Sequence, residues 1–263
     1  MQSMTPTDII LNADDLARRA AVFVAIFEKK LAPSAPLNAT FAFHREPSST
    51  EGSEQARPAV FSEWTDDRIV IHLDVPSLVG IPSLALQGWL DFELAAIVVR
   101  RQPALYRYNF KRDIFPLFPV SGTAIQFIRY VVSHLEACLK RAGRTELILK
   151  MEHGQSLAYY HYQTTATAAD EEIRSYRNLA PHKWMRAIYV SKKSKEFVPV
   201  ALLDAGGCLP GIASLWWRCH AYLLPEDQKI LQKVAAAFLS HRHDRFSEQM
   251  VAAFEAVRSD LLI

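Results

Sequence analysis

The chain has 263 residues, half of them hydrophobic and 22% charged, a balance that suits a buried core and excludes disordered or fibrous classes. Its 30 basic and 28 acidic side chains leave a net charge of +2, so no global field draws the surface to nucleic acid or anionic lipid, and an anionic partner has to be met by a local patch. Cys138, Cys208 and Cys219 form no C-x-x-C pair, and there is neither a basic leader nor an apolar run long enough to span a bilayer, so a reducing, cytoplasmic location is expected.

Asn12 with Asp14 and Asp15 marks a helix start, and Leu16, Ala20, Phe23, Ile26 and Phe27 follow at helical spacing until Pro33. Three short runs rich in Phe, Val and Ile, Ala39–His44, Ala59–Trp64 and Arg68–Leu73, read as strands, with Glu46–Pro58 as an exposed hairpin loop. Pro82–Arg101 is apolar around most of a helical circumference, the pattern of a buried helix. After a Pro-punctuated connection, Pro103–Pro119, a helix is expected over Gly122–Arg141, ended by Gly143, then another over Thr145–Tyr162 and a further one from Asp170. Ala187–Leu203 alternates in a β-like way around Ser191–Glu196, so a hairpin with Lys192, Lys193 and Lys195 at its exposed tip is expected. Gly206-Gly207 and Pro210-Gly211 make a loop, and two amphipathic helices, Pro225–Ser240 and Ser247–Asp260, end the chain.

The most informative segment is Gln87-Gly88-Trp89-Leu90-Asp91-Phe92-Glu93-Leu94-Ala95-Ala96. It resembles the active-site helix of gluzincin metalloproteases, in which a small residue and a few apolar positions precede His-Glu-x-x-His. In that motif two histidines one turn apart face a single zinc ion and the glutamate activates the metal-bound water. Phe92 stands at the first histidine position, Glu93 at the glutamate and Ala96 at the second histidine position. Val132-Ser133-His134-Leu135-Glu136-Ala137-Cys138 is similar to the second gluzincin helix, with Glu136 at the carboxylate ligand; Ser133 and Ala137 depart from the Asn and acidic residue that flank it there.

The resemblance covers Phe61–Leu139 and implies a zincin-like core, but the departures decide the chemistry. Phenylalanine and alanine have no lone pair for a metal, so Glu136 with water would not hold zinc at useful affinity, and neither metal nor cofactor is expected. No His-x-x-x-His pair exists among the nine histidines. Glu93, stranded on an apolar helix, needs a hydrogen-bond donor or a basic partner. Glu93 and Glu136 remain the vestigial catalytic candidates, either as relics or as a carboxylate pair in an enzyme of unrelated hydrolytic chemistry.

Arg100, Arg101, Arg107, Lys111 and Arg112 interleave with Tyr106, Tyr108 and Phe110, a composition that single-stranded nucleic acid or an acidic partner could use. The near-neutral overall charge argues against nucleic acid and favours an ordinary surface loop. His241-Arg242-His243-Asp244 reads as a solvated connector, Tyr159–Tyr162 as packing surface, and Cys138, far from a helix N-terminus, as an inert buried thiol. The G-x-S-x-G, Walker and G-x-G-x-x-G signatures are absent. The sequence thus leads to one α+β domain over 1–263: a zincin-like core at 39–162, with a small antiparallel or mixed sheet packed on several helices and a helical C-terminal extension, the C-terminal part at 170–263 being read as mixed. A non-catalytic protein that binds a peptide or protein in its former cleft is the expected function, with no membrane partner.

Overall fold

The computed structural model describes residues 8–31, 37–45, 59–64, 68–118, 122, 124–165 and 167–261. Pro33 and the 46–58 loop lie outside them. The chain is α+β: mostly helical, with one small mixed sheet. It divides into two compact units, residues 1–97 with 147–163, and residues 98–146 with 164–263.

In the first unit, α1 (Ala13–Leu31) starts where the sequence indicates, because Asn12 Oδ1 accepts the backbone N–H groups of Asp14 at 3.1 Å and Asp15 at 3.0 Å. Leu16, Ala20, Phe23 and Phe27 form its buried stripe. The sheet has the order β1-β3-β2: β1 (Ala39–His44) runs parallel to β3 (Ile69–Asp74), and β2 (Val60–Trp64) antiparallel to it. Ile69, Ile71, Leu73 and Val60 are buried on one face, while His44, His72 and Phe61 stack on the other. Asp74 caps the single turn α2 (Val75–Leu78) through the N–H of Ser77.

Helix α3 (Ser83–Arg101) begins in this unit, and its stretch to Ile97 is apolar and buried on most sides. It meets α5 (Gly154–Thr164) at Gly88, where a Cβ would stand 2.1 Å from the carbonyl oxygen of Ser156. Only glycine allows this backbone-to-backbone approach.

In the second unit, three short helical turns, two tight ones at Pro103–Tyr106 and Phe115–Leu117 and a wider one at Phe110–Ile114, replace the loop expected between the two prolines. Helix α4 (Ala124–Lys150) then runs unbroken for 27 residues, those up to Glu146 belonging to this unit. The expected stop at Gly143 is therefore corrected. This glycine is a packing residue whose missing Cβ makes room for the Tyr106 ring, 3.2 Å from where that atom would be. The break falls after Lys150 instead, at Glu152 with φ of 63°.

Helices α6 (Asp170–Leu179), α7 (Lys183–Ala205), α8 (Ile212–Cys219), α9 (Pro225–His241) and α10 (Phe246–Leu261) complete the unit, with α9 packed on both α7 and α10. No strand occurs between 170 and 261 among the described residues, so the expected hairpin at 187–203 and the mixed C-terminal part are corrected. Ala187, Val190, Ser191, Ser194, Phe197 and Val198 are buried at helical spacing. Ser191 and Ser194 each donate to the carbonyl four residues earlier, so their hydroxyls are satisfied inside the helix. Among the described residues, no helix is long and apolar enough to cross a membrane.

Candidate functional site

Phe92 and Ala96, the two residues that the gluzincin resemblance sets at histidine positions, are both apolar. Phe92 is buried at 5% exposure, its ring centroid 5.9 Å from that of Tyr160 and 6.1 Å from that of His161, which it meets edge-on. Trp89 packs on the same Tyr160 at 5.2 Å. Ala96, one turn along α3, is buried as well. Glu93 is half-buried and accepts a hydrogen bond from Ser62 Oγ on β2 at 2.9 Å, the kind of donor that a carboxylate on an apolar helix needs.

Glu136 lies in the other unit with partners of its own: Lys140 Nζ at 2.5 Å, and Tyr108 Oη, which donates to it at 3.3 Å. Burial, with the Glu136 charge beside it, pushes the Tyr108 phenol up to about 12. Among the described residues, no group of three or more His, Cys, Asp and Glu side chains is arranged to hold a metal ion.

The basic segment is divided by the fold. Arg100 and Arg101 sit exposed at the C-terminal end of α3. Arg107 and Arg112 line a groove of about 450 Å³, to which the α9–α10 turn contributes Arg242 and Arg245. Lys111 belongs to a neighbouring hollow of about 490 Å³ together with Arg129, whose guanidinium lies over the Phe110 ring at 5.6 Å. The two arginines from the α9–α10 turn are the part that sequence reading missed, since 130 residues and more separate them from Arg107 and Arg112.

Two buried polar networks were also missed. In the first unit, His153 Nδ1 donates to Asp91 Oδ2 at 2.9 Å, and its Nε2 faces Lys30 Nζ at 3.2 Å; Asp91 has no exposed surface. Burial raises the Asp91 carboxyl above the usual range, against the pull of His153. With Asp91 on one ring nitrogen and an ammonium on the other, His153 has no free nitrogen for a substrate, and this is a structural bridge rather than a general base. The available signal was a carboxylate inside an apolar helix, which has to find a partner.

In the second unit, Lys193 Nζ lies 2.7 Å from Glu172 and 2.9 Å from Glu196. Tyr189 and Tyr222 both donate to Glu172, and His220 stacks on Trp216 at 3.8 Å while its Nε2 stands 3.6 Å from Glu196. Burial lowers the Lys193 ammonium, but Glu196 and Glu172 outweigh it and hold the amine protonated, so Lys193 is not available as a nucleophile. Burial raises Glu196, yet His220 and Lys193 bring it down to about 2. The exposed hairpin tip expected at Lys193 is thus corrected to a buried ion network, which an i,i+3 reading of Lys193 and Glu196 could have found.

Burial pushes the Cys138 thiol up to about 12, and its Sγ donates to the Ser194 carbonyl, so it is an unreactive thiol. His241 bonds Asp244 at 2.6 Å on an exposed turn. Compared with known proteins, the chain matches no family model, no curated protein and no solved structure.

Proposed function

We propose that this protein is a metal-free, zincin-like pseudoenzyme whose former protease region serves to bind a peptide or protein. The observation that carries the reading is the burial of Phe92 against Tyr160 and His161: a hydrocarbon ring fills the place where the family's first imidazole would meet its metal. The order of elements agrees, since a small mixed sheet precedes the helix that bears Glu93, and β2 of that sheet holds Glu93 through Ser62. Among the described residues β2 stands at an edge of the sheet, the kind of position at which an extended peptide is recognised by strand addition.

Elemental mass spectrometry of the purified protein tests the reading, with Phe92→His/Ala96→His prepared in parallel. The natural protein is expected to carry no zinc, and the double variant to gain it toward one equivalent. Stoichiometric zinc in the natural protein would overturn the proposal.

A further inference from the structure

The groove between the 103–112 segment and the α9–α10 turn carries a second inference, independent of the zincin reading. We infer that it is a docking site for an acidic peptide, one that alternates carboxylates with apolar side chains. Arg107, Arg112, Arg242 and Arg245 converge there from two separate stretches of chain, and all four are exposed. Arg112 is already paired with Asp113 at 2.6 Å. Arg107 and Arg245 have no carboxylate within ion-pairing distance among the described residues, and Arg242 Nε is engaged only with the neighbouring His243. The two unpaired guanidiniums are planar forks that match a carboxylate bidentately.

The rest of the groove selects among anions. Leu105 stands 63% exposed on its wall, and Tyr106 packs edge-on against buried Phe246 at 5.5 Å, giving a firm apolar surface beside the arginines. Glu146 and Asp244 line the same groove. A nucleic-acid strand, with a charge on every phosphate, would set some of its charges against these two carboxylates, and the chain as a whole carries only +2. A peptide with spaced carboxylates can place them on Arg107 and Arg245 and lay an apolar residue on Leu105. Part of the wall is preorganised: Asn109 caps the turn Phe110–Ile114 that carries Arg112, and Tyr106 lies against Gly143.

Fluorescence anisotropy on the full chain tests this, using a labelled peptide of about 12 residues that alternates Glu with Leu, at about 50 mM salt so that screening is weak. Its Gln-for-Glu counterpart and a labelled oligothymidylate of equal length serve as comparison probes. The acidic peptide is expected to bind, and its Gln counterpart to bind about tenfold more weakly. Arg107→Ala/Arg245→Ala should weaken the acidic peptide by about fivefold to tenfold, the scale of two exposed charge pairs. Arg177→Ala/Lys229→Ala, which removes as much charge from exposed helix positions outside the groove, should leave binding within about twofold. Absence of binding, equal binding of the Gln peptide, equal loss in both double variants, or tighter binding of the oligothymidylate would each overturn the inference.

Discussion

Asp91 and His153 are joined across 62 positions of sequence, both almost wholly out of solvent, and the bridge is completed by Lys30. Taking a carboxylate out of water costs several kcal/mol, and only its partners offset that cost. His153→Ala would remove the one imidazole that holds Asp91 and is expected to destabilise the protein by about 3–5 kcal/mol in urea unfolding. Asp91→Leu/His153→Leu, which removes charge and imidazole together and refills the space, should cost clearly less than the sum of the two single Leu variants. Additive losses would show that the two groups do not stabilise each other. A His153→Ala loss below about 1 kcal/mol would mean that Asp91 takes up a proton at little cost, the direction in which its raised carboxyl already leans.

At the level of elements, α3 and α5 touch where Gly88 stands, and the limiting atoms are backbone: Ser156 O at 2.1 Å, Ser156 C at 2.5 Å and Leu157 N at 2.8 Å from an added Cβ. Backbone cannot rotate aside as a side chain can. Gly88→Ala should therefore lose more than the helix propensity of about 1 kcal/mol that alanine gains, with a net loss of at least about 2 kcal/mol. Gly143→Ala is the natural control, because there the obstacle is the Tyr106 side chain, 3.2 Å away, which can tilt. A neutral Gly88→Ala in the same unfolding assay would show that the two helices are not in close contact.

Elements held by local rules were legible in the sequence: the Asn12 cap of α1, the three strands, the apolar length of α3, and α9 behind Pro225. Those decided by tertiary packing were not. Helix α7 is buried around much of its circumference, so its valines and isoleucine imitate a strand, and Pro199 inside it removed a further helical cue. Gly143 looked like a stop because only the third dimension reveals that Tyr106 lies against it. The same divide runs through the candidate sites. Phe92, Glu93 and Ala96 could be located within one helix, whereas the Glu172–Lys193–Glu196 network and the arginine groove join residues that only the fold brings together.

For the molecule as a whole, the buried ion networks set how stability responds to acid. Asp15, hydrogen-bonded by Arg19 and held at about 2, and Glu196, brought to about 2 by His220 and Lys193 against the raising effect of burial, are both lower in the fold than in an unfolded chain. A carboxyl lowered in this way stabilises the fold at any pH above its ordinary value and loses that contribution as the pH falls toward the lowered one. Asp91 and Asp227, raised by burial, act in the opposite sense, because the folded chain takes up their protons first. Below their ordinary value of 3.8 the raised pair is protonated in both the folded and the unfolded chain, so the lowered pair decides there, and stability is expected to fall from about pH 4 toward about pH 2. Neutralising 28 acidic side chains against 30 basic ones also adds general repulsion, and Glu196→Gln separates the two effects. That variant keeps nearly all the repulsion and loses the titrating carboxylate, so it should be less stable at neutral pH yet decline less steeply below about pH 4.5. Urea midpoints followed across that range for both proteins decide the matter: parallel slopes would mean that acid acts through overall charge, and converging curves that it acts through the Lys193–Glu196–His220 network.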